Sequence, residues 1–179
     1  MKAVINYMEL RVWHSETYYV IATANYSNGG FLMNLPAKMH NHFLKPVESI
    51  FAEKIIPDGV SVSDPNAKVI PVDFLFAFKS CNKTGHFDYE YDVDDYDYTL
   101  AWYVYADRDF GITGSYSYAS ENSIDFYSYD ISLRKGWNEV YTTYDYSYET
   151  HESRINLYNV KPQWNKMDFS SLSKFNLIL

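Results

Sequence analysis

The chain has 179 residues, a single cysteine and a formal net charge of −8, from 15 Lys and Arg against 23 Asp and Glu. A chain of this length can bury a full hydrophobic core without disulfide or metal cross-links. A single cysteine also excludes a small disulfide scaffold. The acidic balance argues against a nucleic-acid partner, which needs clustered Lys and Arg, and no apolar run is long enough to predict a transmembrane segment.

The first 36 residues carry strand signals separated by turn signals. β-branched and aromatic residues favour strands here, and the Ser-Asn-Gly-Gly run at 27–30 favours a tight turn because Asn and Gly accept positive φ angles. Pro36 closes the third segment, since proline cannot donate a hydrogen bond to a sheet. Three strands are therefore predicted, over residues 2–13, 17–26 and 31–35.

Residues 37–56 carry apolar side chains at helical spacing, which predicts one short amphipathic helix. Pro46 lies inside the pattern, so the helix is expected to begin near this residue rather than to run through it. Turn signals then predict a loop through residue 68. The apolar residues of the pattern are Met39, Phe43, Val47, Ile50 and Phe51.

The predicted strands after residue 69 include a long part of the chain, residues 89–148, that is rich in tyrosines spaced two residues apart. Fourteen of the 19 tyrosines lie between Tyr89 and Tyr148. A spacing of two places both rings on one face of a β-strand, because successive side chains point to opposite faces. Turn signals separate the tyrosine groups, which predicts a meander of strands. The groups are Tyr89/Tyr91, Tyr96/Tyr98, Tyr103/Tyr105, Tyr116/Tyr118, Tyr127/Tyr129 and Tyr144/Tyr146/Tyr148.

These signals together predict an all-β fold. About nine or ten strands at regular spacing favour an antiparallel β-sandwich with one short helix. The alternative is a lipocalin-like meander barrel, because residues 69–148 resemble consecutive hairpins. We expect a single domain over 1–179, which is subdivided into an N-terminal β unit at 1–36, a helix and loop insert at 37–68, a β-meander at 69–160 and a C-terminal tail at 161–179.

An acidic segment at 88–97 is the first candidate site, with six acidic residues and no Lys or Arg. Ca²⁺ needs several oxygen ligands that converge on one point, and a loop tip here supplies them, although the spacing is not that of an EF-hand. The alternative is a solvated, self-repelling tip that keeps sheet edges from aggregating. The candidate calcium ligands are Asp92, Asp94, Asp95 and Asp97.

A row of tyrosines is the second candidate site. Sugars lay their apolar ring faces on aromatic side chains, while polar groups fix their orientation. The alternative is that the rings form ordinary cross-strand pairs on a half-buried sheet. Trp137 follows a turn glycine and is expected to be a packing anchor. The row with the greatest expected exposure, and therefore the candidate ligand-binding row, is Tyr144, Tyr146 and Tyr148.

No catalytic motif is present in the sequence. There is no G-x-S-x-G elbow and no glycine-rich phosphate loop. His40 and His42 form a His-x-His pair, but no third metal ligand is near them in sequence. They are expected to be a solvent-exposed loop pair, and His14, His86 and His151 are isolated. We therefore expect a non-enzymatic protein with no cofactor other than the candidate Ca²⁺.

Four stretches of the chain are distinctive together, at residues 26–36, 62–68, 105–114 and 133–140. This set resembles a family of uncharacterised exported proteins, often lipid-anchored, from gut Bacteroidetes. The first stretch is also similar to transthyretin-like sandwich domains of that phylum. The resemblance implies a periplasmic or cell-surface location and a lipid anchor in the full-length precursor, although the N-terminal residues here have no apolar leader. It implies no catalytic residues.

The expected function is thus that of a non-enzymatic exported surface or periplasmic protein with an interaction or structural role. Its partner is expected to be a protein or a glycan. Two alternatives remain open, a carbohydrate-binding module that uses the tyrosine rows and a barrel that carries an apolar ligand.

Overall fold

The computed structural model describes most of the chain and shows that it consists mostly of strands, with almost no helix. The all-β class expected from the tyrosine spacing and the turn signals is therefore confirmed. Helix is limited, within the described residues, to the two 3₁₀ turns Asn41–Phe43 and Val47–Ile50. The described residues are 6–26, 31–51, 53–72, 75–79, 82–91, 97–120, 123–147, 149–159, 166–169 and 175–178.

Fifteen strands lie in the described part of the chain, and several are very short. They are β1 (Tyr7–His14), β2 (Thr17–Asn25), β3 (Phe31–Asn34), β4 (Lys45–Pro46), β5 (Val60–Val62), β6 (Lys68–Val72), β7 (Leu75–Lys79), β8 (Asn82–Tyr91), β9 (Asp97–Ala106), β10 (Phe110–Ala119), β11 (Ile124–Leu133), β12 (Gly136–Ser147), β13 (Glu152–Tyr158), β14 (Lys166–Phe169) and β15 (Phe175–Ile178).

One large sheet contains 13 of these described strands and curls into a half-barrel. Its main order is β2-β1-β7-β8-β9-β12-β13-β11-β10-β5, with β15 beside β8 and β6 beside β9. β3 and β14 form a separate pair. β11 and β13 run parallel, which makes the large sheet mixed. The predicted antiparallel sandwich is therefore not confirmed.

Strand β13 is inserted between β11 and β12, although only Arg134 and Lys135 separate those two strands in sequence. The side chain of Asn138 stabilises the turn from which β11 and β12 diverge. Its Oδ1 accepts a hydrogen bond from the Arg134 backbone N–H at 2.9 Å, and its Nδ2 donates to the Gly136 carbonyl at 2.9 Å. The chain thus reverses at residues 134–136, where Gly136 is the turn glycine that precedes Trp137, but the sequence did not predict the strand that lies between β11 and β12.

The predicted helix at 37–56 is replaced in the described residues by the two 3₁₀ turns. Pro46 and Phe51 flank the second turn with extended ψ angles of 152° and 145°, which limits it to four residues. The backbone N–H of Val47 donates to the carbonyl of Ala67 at 3.1 Å. Met39, Val47 and Phe51 are nevertheless buried, so the apolar spacing marked burial rather than helix.

Two hydrophobic cores lie along the sheet. The first core contains Met8 and Leu10 of β1 together with Met33 and Trp137. Trp137 is 2% exposed, and its Nε1 donates to the carbonyl of Pro36 at 2.9 Å, which confirms its predicted role as a packing anchor. The second core lies against the β9–β13 part of the sheet, on what we call the inner face. It includes Val47, Phe51, Val104, Ile112, Ile131 and Val140.

Candidate functional site

An open groove crosses the outer face of β10, β11 and β13, on the side of the sheet opposite the second core. Its volume is about 420 Å³. Side chains alternate between the two faces along each strand, so the groove side chains lie between residues that point into the second core. The outer-face side chains that line the groove are Ser115, Ser117, Phe126, Ser128, Arg154 and Asn156.

The strand register brings these side chains together from distant parts of the sequence. Ser117 lies opposite Phe126 across the β10–β11 pair, and Phe126 lies opposite Arg154 across the β11–β13 pair. The second pairing exists only because β13 is inserted beside β11. The next row of the groove is formed in the same way by Ser115, Ser128 and Asn156.

Phe126 and Arg154 give this groove its binding chemistry. The Phe126 side chain is 40% exposed, so a large apolar ring faces water. Arg154 is also exposed, and it forms no ion pair with any other described residue. Beside them, Asn156 Nδ2 donates to Thr143 Oγ1 at 3.3 Å, which holds the amide in place. An apolar ring thus lies next to several polar groups that can bind a ligand's hydroxyl or anionic groups.

A stacked pair of tyrosines extends the aromatic surface along the same face. Tyr141 of β12 and Tyr158 of β13 lie opposite each other, with ring centroids 5.6 Å apart and an interplanar angle of 21°. Tyr158 is four residues beyond Arg154, which corresponds to roughly 13 Å along a strand. The outer face therefore presents aromatic rings at two positions along its length.

A second tyrosine cluster lies on the inner face, next to the second core. Tyr116 and Tyr127 stack with their centroids 4.7 Å apart, and Phe51 contacts Tyr129 edge-on at 5.4 Å. Burial, followed by the neighbouring Tyr116, raises the pKa of Tyr129, and burial followed by Asp125 raises the pKa of Tyr127. These phenols are thus neutral packing groups at physiological pH.

The candidate row at Tyr144, Tyr146 and Tyr148 is described in part, since Tyr148 lies outside the described residues. Tyr144 and Tyr146 are half-buried on the inner face of β12. The Tyr146 hydroxyl lies 3.3 Å from Nδ1 of His151. Ligand binding by this row stays a prediction, and the exposed ring that sequence reasoning missed is Phe126 of β11.

The candidate calcium ligands are mostly outside the described residues. This applies to Asp92, Asp94 and Asp95, while Asp97 begins β9 opposite Asp145 of β12. In the ranges that the structure describes, no three His, Cys, Asp or Glu side chains are already arranged to hold a metal ion. The calcium site therefore stays a prediction.

The ion pairs elsewhere in the described residues are structural. Arg108 bridges Asp107 at 3.1 Å and Asp64 at 3.3 Å, and Asp107 also accepts from the Lys68 backbone N–H at 2.9 Å. Burial opposes ionisation of Asp107, but the hydrogen bonds from Arg108 and Lys68 outweigh it and lower its pKa. These contacts tie the start of β6 to the turn after β9, and they lie at loops rather than in a cleft.

In the described part of the chain, neither 3₁₀ turn approaches the length and apolar character of a membrane-spanning helix. The expected export, lipid anchor and family resemblance stay predictions. Comparison of the chain with protein-family models, curated proteins and solved structures found no significant match.

Proposed function

We propose that this protein is a non-catalytic binding protein that holds a glycan chain in the groove on the outer face of β10, β11 and β13. The observation that carries the proposal is the position of the exposed Phe126 ring within a row of polar side chains. Sugars present apolar C–H faces together with many hydroxyl groups, and they are bound by an aromatic ring flanked by hydrogen-bonding groups.

Each part of the groove has a role in this proposal. The Phe126 ring receives the apolar face of a sugar. Arg154, Asn156 and the three serines exchange hydrogen bonds with its hydroxyl groups, and the exposed guanidinium of Arg154 also suits an acidic sugar. The Tyr141/Tyr158 stack on the same face supplies a second contact, so the ligand is an extended chain rather than a single sugar.

The outer face is favoured over the inner face as the binding surface. Buried side chains such as Val47, Phe51 and Ile131 occupy the inner face of the half-barrel, which argues against an apolar ligand carried there. The proposal also includes a location in the periplasm or at the cell surface, with a lipid anchor on the full-length precursor. That part rests on the sequence resemblance, and extracellular glycans are accessible from both locations.

A glycan microarray with three proteins tests the proposal. Wild type is compared with Phe126→Ala, which removes the groove ring, and with Tyr118→Ala, a matched control that removes an exposed ring from the inner face of the neighbouring strand. We expect wild type and Tyr118→Ala to bind the same glycans. Phe126→Ala is expected to bind them about tenfold more weakly, since a ring contact contributes roughly 1–1.5 kcal/mol.

Two results would contradict the proposal. One is that wild type binds no polysaccharide on an array that includes neutral and acidic chains. The other is that Phe126→Ala, shown by circular dichroism to be folded, binds as well as wild type.

A further inference from the structure

Three imidazoles lie next to one another at the end of the first core, and none of them lines the groove. His14 is the last residue of β1 and follows the buried Val12 on the same face of the strand. Its ring centroid lies 5.3 Å from that of His42, which in turn lies 4.4 Å from that of His40. The pair at 40 and 42 was expected to stand alone in a loop, and the fold supplies the third imidazole.

The surrounding backbone and rings hold this cluster in place. His40 precedes the 3₁₀ turn Asn41–Phe43 and caps it, because its Nδ1 accepts from the His42 backbone N–H at 3.3 Å. Phe43 and Tyr19 pack edge-on against His14, with centroid distances of 5.7 Å and 6.3 Å. The histidines are thus positioned by an aromatic frame rather than by ion pairs.

The contact between His40 and His42 requires an explanation. Their Nδ1 atoms lie only 2.5 Å apart, so both rings cannot carry a proton on these nitrogens. At least one of these two nitrogens therefore carries a lone pair rather than a proton, and a ring nitrogen with a lone pair can coordinate a metal ion.

We propose that His14, His40 and His42 form a binding site for a divalent first-row metal ion of the zinc and copper class. Imidazole suits these ions, whereas Ca²⁺ and Mg²⁺ prefer oxygen ligands. Three histidines leave a fourth coordination position for water.

Metal binding requires a small rearrangement of the rings. Two nitrogens bound to one tetrahedral Zn²⁺ lie roughly 3.3 Å apart, since each is about 2.0–2.1 Å from the ion. The Nδ1 atoms of His40 and His42 must therefore move apart, or another ring nitrogen must turn inward. Both side chains are exposed, so their rings have room to rotate. This need for rotation agrees with the absence of a ready-made metal site among the described residues.

Isothermal titration of the untagged protein with ZnCl₂ tests this site. The variants are His42→Ala and His14→Ala, and the matched control is His151→Asn. His151 is an exposed histidine in a distant turn with a φ of 54°, which asparagine tolerates. We expect saturable binding of one Zn²⁺ per chain for wild type and for the control. Each cluster variant is expected to bind at least about tenfold more weakly, because even loss of an outer-shell partner costs about 10–100-fold.

A spectroscopic measurement keeps the test independent of folding defects. Cu²⁺ added to wild-type protein should give an electron paramagnetic resonance spectrum with nitrogen hyperfine structure from several imidazoles. The proposal is overturned if Zn²⁺ shows no saturable binding, or if folded His42→Ala and His14→Ala proteins bind it as tightly as His151→Asn.

Discussion

Asn159 forms two hydrogen bonds with the backbone of Ser132, across the parallel β11–β13 pair. Its Oδ1 accepts from the Ser132 N–H at 2.7 Å, and its Nδ2 donates to the Ser132 carbonyl. The side-chain amide thereby extends the hydrogen bonding between β11 and β13 by one residue beyond Tyr158, where β13 ends. It also fixes the register that places Arg154 opposite Phe126.

Replacement of Asn159 by alanine should therefore destabilise the inserted strand. We expect Asn159→Ala to lower the free energy of unfolding by about 1–2 kcal/mol, because two backbone groups lose their partner. Urea denaturation measures this change. Ser132→Ala is the matched control, since it alters only an exposed side chain and leaves both backbone groups in place, and it should change stability by less than about 0.5 kcal/mol. Equal effects of the two variants would contradict the role given to Asn159.

Gly114 permits the close approach of β10 to the loop before β5. Its φ angle is 119°, and a Cβ atom at this position would overlap the carbonyl oxygen of Gly59. Gly114→Ala should thus cost about 2–3 kcal/mol of stability, from backbone strain and from displacement of the loop. Gly111→Ala is the control, because its Cβ would lie 3.3 Å from the Ile131 carbonyl oxygen and its φ is not in the left-handed region. A thermal shift for Gly114→Ala no larger than that for Gly111→Ala would refute this interpretation.

The buried Tyr129 on the inner face should cause the free energy of unfolding to decrease at alkaline pH. Burial raises the pKa of Tyr129 above its ordinary value of 10.0, so in the folded state the phenol keeps its proton after the unfolded chain has lost it. The unfolded state then binds fewer protons, and the free energy of unfolding falls as the pH rises above about 10.

Tyr129→Phe removes this ionisable group and tests the pH dependence. Urea denaturation at pH 9 and pH 11 should show a smaller loss of stability for the variant than for wild type. Tyr118→Phe, on the exposed Tyr118, serves as the control and should retain the wild-type loss. An identical loss in Tyr129→Phe and wild type would show that Tyr129 does not hold its proton in the folded state.

Arg154 should determine the charge preference of the groove. Arg154→Ala is expected to weaken binding of acidic glycans by about tenfold or more, since a charge-assisted hydrogen bond contributes about 1.5–3 kcal/mol. Arg154→Lys keeps the charge but loses the planar fork of donors, so it should restore only part of the affinity. Binding curves for one acidic and one neutral polysaccharide measure the effect. If both variants bind acidic chains as wild type does, Arg154 has no part in recognition.

The strand content and one packing anchor could be predicted from local sequence patterns. The spacing of tyrosines by two residues reflects the alternation of side chains in a strand, which each strand shows by itself. Trp137 follows a turn glycine, and it is buried against Pro36. The helical spacing of apolar residues at 37–56 led to a wrong prediction of a helix, because an irregular segment with two 3₁₀ turns can bury the same residues.

The candidate sites depend on pairings that no local pattern contains. Phe126 and Arg154 are neighbours only because β13 enters the space between β11 and β12. His14 reaches His42 only because β1 ends beside the 3₁₀ turn Asn41–Phe43. Both contacts join residues that are 28 positions apart, as their numbers show. Sequence reasoning identified residue types that suit sugars and metals, but it did not bring together the residues of the two proposed sites, because each site depends on a contact between distant parts of the chain.

The most direct test of the glycan-binding proposal is an NMR titration of ¹⁵N-labelled protein with the glycan that binds best on the array. We expect the largest amide shifts at residues 115–117, 126–128 and 154–156, which line the groove, and little change around Val47 and Val69 in the second core. Shifts confined to the inner face or to the β1–β2 end of the sheet, with none in the groove, would contradict the account.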